Sequence, residues 1–331
     1  MNKTKKIASI LLVLTIFCST FSMSVIQASA KVIKKKTGDC YYKYNTSTKV
    51  MHIYGNGKMG GNEFFSEPPI ENMKKLIVEE GVTCIDGEAF FACDNLIEVS
   101  ISSTVKIIIG NKIGGSFFNG NLKKITVSKN NKKYSSKDGV LFDKKKTILY
   151  QYPPKKSTKS YTVPNSVKTI GKNAFENSSK LKTVTMGNKV TTVGKYAFSE
   201  CKALTTVKLN NVKTIRHDAF SGCVKLKKII LNKKLKKIEM RAFEGCENIS
   251  GYLGLPDSVT EVGEMAFYNC TNLKGVVISS KLKKFGYLCF GYIDFDARYA
   301  EIVNKKFTIY GKKGSAAQKY AKNNKIKFVA I

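Results

Sequence analysis

The sequence predicts a β-rich solenoid, in which successive coils of the chain stack on one another. Phenylalanine recurs about every 23 residues from Phe175 to Phe290, and alanine precedes it in five of six cases. The six residues are Phe175, Phe198, Phe220, Phe243, Phe267 and Phe290. A constant period of this length indicates repeated units, each of which buries its apolar positions only against its neighbours.

Apolar residues occupy the same places inside each period. After Phe220 the order is Cys223, Leu226, Ile229, Leu231, Leu235 and Ile238. The pattern L-x-x-V-x-L in such a period is typical of a leucine-rich-repeat solenoid. Its alternation predicts strands that stack into one parallel sheet, and a second segment, V-x-x-I, predicts a second line of shorter strands. The Ala-Phe pair between them is expected in a helical or 3-10 turn.

The repeat resembles the BspA-type leucine-rich repeat of bacterial secreted and surface proteins. The resemblance begins at Val82-Thr83-Cys84-Ile85, continues through Phe90 and an irregular coil around Phe117-Phe118, and ends at Phe290. It implies a role in binding, including adhesion, and does not identify the ligand.

The first 30 residues predict export. Three lysines precede an apolar run from Ile7 to about Cys18, and Ala28-Ser29-Ala30 supplies small residues at a cleavage site, as in a secretory signal peptide. The run is shorter than the roughly 20 residues of a membrane-spanning helix. A lipid anchor at Cys18 is disfavoured because the bulky Phe17 precedes it. We expect a secreted or extracellular protein with no transmembrane segment after cleavage. Any association with the cell wall would then depend on non-covalent contacts.

The rest of the chain divides into three parts. Residues 31–77 predict an N-terminal cap containing a β-hairpin, and their Gly55–Gly60 segment is interpreted as turn glycines because no helix follows that would complete a dinucleotide site. Residues 78–303 form the solenoid, with a hairpin that leaves it at about 129–160. Residues 304–331 predict a strand, a short helix capped by Ser315, and a strand that closes the other end. The coil after Phe243 is one residue longer than the usual period, and Gly251 and Gly254 near the extra residue predict a bulge there.

Cysteine positions predict free thiols rather than a disulfide framework. Nine cysteines in an exported chain would ordinarily indicate disulfides. Five of them follow the repeat phenylalanine by three residues, and Ser178 takes that place after Phe175. These five are Cys93, Cys201, Cys223, Cys246 and Cys270. A place that accepts either residue is a small inward position, where a free thiol packs as an apolar group.

No catalytic residue, cofactor site or metal site is predicted. The two histidines are His52, in the N-terminal cap, and His217, beside Asp218 in a turn. A Cys-His or Ser-His site would need a nucleophile beside one of them, and the regularly placed cysteines are expected to point into the core. C-x-x-C pairs are absent, and no cluster of acidic residues suggests a cation site.

The charge is strongly positive and comes mainly from lysine. The formal net charge of +33 falls to +30 when the signal peptide and its three lysines are removed, and only Arg216, Arg241 and Arg298 are arginine. Arginine dominates where phosphates or bases are read in a bidentate manner, so a lysine-rich surface favours diffuse attraction of polyanions. The alternative is codon bias in an AT-rich genome.

Lysines recur at exposed places of both repeat segments. The candidate ligand-binding residues are Lys123, Lys124, Lys182, Lys227 and Lys228 in L-x-x-V, and Lys236, Lys237, Lys283 and Lys284 in V-x-x-I; Lys168 and Lys213 occupy the latter place in earlier coils. Adjacent coils lie about 4.8 Å apart, so we expect lysine ladders whose self-repulsion a bound polyanion would relieve.

The sequence therefore predicts a non-enzymatic binding protein. The expected partner is a protein or an anionic polysaccharide of the cell wall or extracellular matrix. The alternatives are a structural module held to anionic wall polymers by charge and, with less support, a hydrolase. Nucleic acid is disfavoured by export, by scarce arginine and by the lack of stacking aromatics between the lysines. The ligand, the face used and the oligomeric state stay open.

Overall fold

The computed structural model describes residues 31–61, 72–90, 93–109, 118, 121–293 and 302–331. The predicted signal peptide lies outside these residues. Within them the predicted leucine-rich-repeat solenoid is confirmed: strands of successive coils pair in parallel, and a short turn carries each Ala-Phe pair. The turn at Gly87–Phe90 is a 3-10 helix.

The N-terminal sheet begins antiparallel and becomes parallel. Its six strands, in spatial order, are Val32–Thr37, Cys40–Asn45, Val50–Gly55, Lys75–Val78, Glu98–Ile101 and Lys124–Val127. The predicted hairpin supplies the second and third strands, and Val32–Thr37 adds a strand that the sequence pattern did not predict. Gly57 and Lys58 form a two-residue strand of a second sheet, with Val82–Asp86 and Ile107–Ile109, so the glycine segment is more than a turn.

The expectation of one continuous parallel sheet from the L-x-x-V-x-I segments is wrong. These segments form the N-terminal sheet and two further sheets. The central sheet comprises Ser160–Thr162, Thr183–Thr185, Thr206–Lys208 and Lys228–Ile230, and the C-terminal sheet comprises Gly251–Gly254, Leu273–Ile278, Thr308–Gly311 and Lys327–Ala330. The predicted bulge is confirmed, because the pairing shifts between Gly251 and Tyr252. This strand pairs with Leu273–Ile278 and belongs to a different sheet from Lys228–Ile230, its counterpart in the preceding coil.

The V-x-x-I segments form the longest sheet, which has nine strands. In order these are Tyr134–Lys137, Val140–Asp143, Ile148–Gln151, Thr169–Ile170, Thr192–Val193, Thr214–Ile215, Lys237–Ile238, Glu261–Val262 and Lys284–Phe285. The first three are antiparallel and contain the predicted hairpin. This hairpin does not leave the solenoid as expected, because Ile148–Gln151 pairs in parallel with Thr169–Ile170 and continues the sheet.

The repeat phenylalanines form a continuous stack in the core. Neighbouring rings from Phe175 to Phe290 lie 4.5 to 5.3 Å apart between centroids, with interplanar angles of 2° to 17°. All six side chains are buried. Backbone hydrogen bonds between adjacent Ala-Phe turns, such as Phe220 N to Ala242 O at 2.8 Å, hold the rings one coil apart. The predicted core position of the phenylalanines is confirmed.

Two left-handed residues flank each phenylalanine of the regular coils. The residue two places before it has a φ of 50° to 57°, and the residue two places after it has a φ of 55° to 79°. The later place holds Asn177, Glu200, Gly222, Gly245, Asn269 and Gly291. Asparagine and glycine adopt this conformation at low cost, which explains their recurrence there.

Four of the cysteines that follow a repeat phenylalanine by three residues are buried free thiols, and each donates a hydrogen bond to the preceding coil. The Sγ atoms of Cys201, Cys223, Cys246 and Cys270 lie 3.0 to 3.2 Å from the carbonyl oxygens of Phe175, Phe198, Phe220 and Phe243. Burial raises the pKa of the Cys270 thiol to about 12. Ser178 occupies the same place, but no described group accepts a hydrogen bond from its buried hydroxyl. The thiol is therefore the better fit to this position.

Two hydrophobic clusters fill the solenoid and meet at the hairpin. The N-terminal cluster extends from Cys40 to Val127, and the C-terminal cluster extends from Val140 to Ile326. Leu141 belongs to the first cluster, whereas Val140 and Phe142 belong to the second. Successive hairpin residues thus face opposite cores, as alternate residues of a strand do.

The predicted strand, helix and strand near the C-terminus are confirmed. The helix spans Ala316–Asn323, and the Ser315 side chain accepts a hydrogen bond from the backbone N–H of Gln318 at its N-terminus. Tyr320 packs against Phe285 with ring centroids 4.9 Å apart, and the hydroxyl of Tyr320 reaches the backbone of Phe290. The short strands Tyr292–Ile293 and Ile302–Val303 pair just before this unit.

Candidate functional site

The nine-stranded sheet carries one row of lysines and threonines on successive coils, which we call the outer row. It consists of Lys168, Thr191, Lys213, Lys236, Thr260 and Lys283. The backbone N–H of each later member donates to the carbonyl of the member before it, at 2.8 to 3.2 Å. Adjacent members are therefore one strand spacing apart, about 4.8 Å.

The outer row is exposed and contains no carboxylate. All four of its lysines are exposed. Within the described part of the chain, no ion pair joins any of these four lysines to an acidic residue. Lys213 and Lys236 are direct neighbours, and threonines separate the other lysines. The row therefore presents uncompensated positive charge along six coils.

The threonines of the outer row have a structural role. The hydroxyl of Thr191 donates to the carbonyl of Lys168 at 3.4 Å, and that of Thr260 donates to the carbonyl of Lys236 at 3.5 Å. In the central sheet, Thr205 donates in the same way to Lys182 at 3.0 Å. These hydroxyls secure one coil to the next and leave the lysine ammonium groups as the donors that face solvent.

The neighbouring position of the same sheet carries compensated charge. Lys237 pairs with Glu261 across adjacent strands at 2.9 Å and lies 4.0 Å from Glu239. The hydrogen bond to Glu261 raises the pKa of Lys237. Lys284 lies on the other side of Glu261. For Lys237 and Lys284 the expected self-repelling ladder is wrong, because a carboxylate stands between them.

The remaining candidate lysines lie on other sheets. Lys182, Thr205 and Lys227 form one row at the edge of the central sheet. In the adjacent row, Lys228 pairs with Thr206 of the preceding coil. Lys123 and Lys124 belong to the N-terminal sheet, where Lys124 pairs with Glu98 across the strands. The nine predicted residues therefore do not form a single surface.

A cleft beside the outer row was missed by the sequence analysis. Its volume is about 350 Å³, and it is lined by Lys168, Asn188, Lys189, Thr191, Asn211, Lys213 and Lys234. The available sequence signal was the spacing of 22 rather than 23 residues between Phe198 and Phe220. That spacing shortens one corner of the solenoid at this point.

The histidines lie beside acidic side chains. His52 Nδ1 is 2.7 Å from Glu79 Oε1, and His217 Nδ1 contacts the carboxylate of Asp218. The Tyr196 ring lies 6.0 Å from that of His217. Among the described residues, no group of three or more His, Cys, Asp or Glu side chains is placed to hold a metal ion. In the same part of the chain, no helix has the length and apolar character needed to cross a membrane.

One known structure shares this architecture at low sequence identity. The pneumococcal vaccine antigen PcpA superposes with a TM-score of 0.57 at 23% identity, over 83% of this chain and 65% of that one. This chain thus spans slightly less than two thirds of the length of the antigen. A leucine-rich-repeat protein from Bacteroides ovatus gives a TM-score of 0.46 at 17% identity, over 91% of this chain and 98% of that one. Comparison with curated proteins gives no match.

The sequence also matches a family model over most of its length. The BspA type leucine rich repeat region matches in six copies, at residues 15–139, 150–251 and 206–310. These matches include every regular coil and every member of the outer row. The chain therefore belongs to the BspA-type leucine-rich-repeat family.

Proposed function

We propose that this protein is a secreted or cell-surface, non-enzymatic binding protein that recognises an anionic polymer along the outer row. The observation that carries the proposal is the row of four exposed lysines and two threonines on six consecutive coils, without a carboxylate among them. A linear polyanion laid along this row would meet a lysine on four of the six coils. Each anionic group neutralised by a lysine would release a counterion, which favours binding at low salt.

Adhesion to a host matrix and retention on the bacterium's own wall both follow from this chemistry. The first requires a sulfated or carboxylated matrix glycan, and the second requires a wall polymer such as a teichoic acid. A purely structural module held to the wall would bind any polyanion equally. Release from whole cells by salt, without discrimination among polyanions, would favour that structural role over specific recognition.

The decisive experiment measures polymer binding as a function of salt. Heparin and poly(glycerol phosphate) are titrated against the protein and against the variant Lys236→Gln with Lys283→Gln. We expect weaker binding and a slope of log affinity against log salt that is smaller by about two, one for each lost contact. A matched control removes two exposed lysines of the hairpin region, Lys132→Gln with Lys145→Gln. Equal losses in both variants would show that only net charge matters and would refute the proposal.

A second candidate function, recognition of a protein, is favoured by an apolar area on the C-terminal sheet. Tyr252 and Val277 are exposed by 59% and 36%, and the Tyr252 and Tyr310 rings lie 5.5 Å apart. Exposed aromatic side chains on a rigid sheet are frequent anchors of protein interfaces. Loss of signal for Tyr252→Ser on an array of extracellular-matrix proteins and glycans, with unchanged heparin binding, would support this second function.

A further inference from the structure

The cleft beside the outer row arises because one coil is a residue short. Four residues separate Thr185 from Val190, and four separate Ile230 from Leu235. In the coil between them, only three residues separate Lys208 from Val212. The same hydrogen-bonded turn closes the short corner, with Val212 N donating to Leu209 O at 2.9 Å. The short coil lies between two full-length coils, and the recess lies at this corner, lined by residues of all three.

Four lysines surround this recess in an alternating arrangement. Lys168 and Lys213 belong to the outer row, one residue after the buried valine of their coils. Lys189 and Lys234 lie one residue before the equivalent buried residues of their own coils, Val190 and Leu235. These two coils alternate along the solenoid with the coils of Lys168 and Lys213. Members of each pair are two coils apart, about 10 Å. The positive charges thus alternate between the two sides of a groove that runs along the solenoid.

The lining of the recess is polar, and asparagine side chains donate to backbone carbonyls in it and next to it. Asn211 Nδ2 donates to the carbonyl of Asn188 at 2.8 Å, and Asn210 Nδ2 donates to the carbonyl of Met186. Asn232 Nδ2 donates to the carbonyl of Val212 at 2.9 Å. None of the lining residues is acidic, so an anion in the recess would meet no carboxylate of the lining. All four lysines are exposed, and no ion pair in the described part of the chain includes any of them.

We propose that this cleft binds consecutive phosphate or sulfate groups of a linear polyanion and fixes the position of the polymer on the outer row. The inference rests on the proposed function and adds a defined binding site to it. A volume of about 350 Å³ accommodates two or three tetrahedral oxyanions with their linking atoms. Lysine ammonium groups bind such oxyanions by charge-assisted hydrogen bonds. Elsewhere the row attracts the polymer without a recess to position it.

Two variants test the cleft, and both leave all four lysines of the outer row in place. The first, Lys189→Gln with Lys234→Gln, removes the two lysines that do not belong to the row. The second inserts a glycine between Leu209 and Asn210, which restores the full coil length without changing the net charge. If the insertion variant fails to fold by circular dichroism, the substitution variant still decides the question.

Inorganic tripolyphosphate is the probe. Its binding is observed during titration through the changes that it causes in the NMR resonances of the Asn188 and Asn211 side-chain amides. We expect saturable binding to the protein at low salt. The substitution variant should bind at least about tenfold more weakly, since a hydrogen bond to a charged group contributes roughly one factor of ten and this variant removes two lysines. The insertion variant should lose the saturable phase, and the variant Lys132→Gln with Lys145→Gln should retain it.

The polymer measurements separate this inference from the proposed function. If the Lys236 and Lys283 variant weakens heparin and poly(glycerol phosphate) binding while both cleft variants match the hairpin control, the cleft proposal is overturned and the function stands. If no variant differs from the control, both are overturned. A larger cleft effect with poly(glycerol phosphate) than with heparin would assign the site to phosphodiesters, and the reverse would assign it to sulfates.

Discussion

The N-terminal coils and the regular coils after the hairpin use the same repeat but treat surface charge differently. In the N-terminal sheet, Lys75 lies 3.8 Å from Glu98, and Glu79 lies 3.6 Å from Lys43 and 2.7 Å from His52. In the outer row the lysines have no such partners among the described residues. The repeat determines the buried positions alone, so exposed positions are free to diverge between regions.

The same two regions differ in the regularity of their cores. The Phe90 and Phe118 rings of the N-terminal cluster lie 6.0 Å apart and are tilted by 49°. In the C-terminal cluster, the Phe220 and Phe243 rings are 5.1 Å apart and nearly parallel, at 2°. A constant period superposes equivalent side chains, whereas an irregular coil offsets them. Stacking persists across the 22-residue and 24-residue spacings, at 6° and 17°, so a change of one residue in coil length leaves the rings aligned.

The largest expected effect comes from removing a ring of the regular stack. Phe220→Ala or Phe243→Ala should lower the free energy of unfolding by about 3–5 kcal/mol, because each leaves a cavity between two packed coils. Urea unfolding measures the loss, and hydrogen exchange should locate it in the two adjacent coils. Unchanged stability for either variant would contradict the stacking of coils described above.

Adjacent hairpin residues should separate the two cores. Leu141→Ala should lower the free energy of unfolding by about 2–5 kcal/mol, as should Phe142→Ala. Hydrogen exchange should increase in the N-terminal coils for Leu141→Ala and in the C-terminal coils for Phe142→Ala, because the two side chains belong to different clusters. The same protection pattern in both variants would mean that the solenoid has one cooperative core.

Alkaline pH should destabilise both regions through their buried thiols. Burial raises the pKa of Cys93, Cys270 and Cys289 to about 12 from an ordinary value of 9.0. A group whose folded pKa lies above its unfolded pKa stabilises the fold below the unfolded value, and this stabilisation declines as pH rises towards the folded value. The free energy of unfolding should therefore fall above pH 9, by about 1.4 kcal/mol per pH unit for each thiol.

Urea unfolding from pH 7 to 10.5 tests this loss. Replacing Cys270 by Ser provides the control, since serine does not ionise in this range. An equally steep decline without the thiol would assign the alkaline effect to the buried tyrosines, such as Tyr161, whose pKa is also raised by burial.

The smallest effects concern the surface charges that distinguish the two regions. Glu98→Gln should lower the free energy of unfolding by no more than about 0.5 kcal/mol, because an exposed ion pair contributes little. Lys236→Gln should raise it by a few tenths of a kcal/mol at low salt, because it relieves repulsion from Lys213. Both changes should vanish at 1 M salt. A destabilising effect of Lys236→Gln would mean that the outer row is compensated within the folded protein.

Much of the fold follows from the repeat alone. The regular spacing of the phenylalanines from Phe175 to Phe290 predicts buried rings, and the cysteines three residues after them predict inward thiols. Both follow because a position that is buried in every coil requires the same kind of residue once in each period. The lysine positions show more clearly where such reasoning fails. Lys237 and Lys236 are sequence neighbours of the same type, but only Lys237 has a carboxylate partner across the strands. Which residue lies opposite a given lysine depends on the pairing of strands more than 20 residues apart.

The sequence by itself determined the solenoid, the buried positions, the helix that begins after Ser315 and the excess of positive charge, because these depend on local pattern and composition. Tertiary structure decided how the sheets divide, that the hairpin joins the nine-stranded sheet, and which lysines share an uncompensated row. It also decided that one missing residue becomes a cleft. A shortened corner has no depth of its own and acquires depth only between two full-length coils stacked against it.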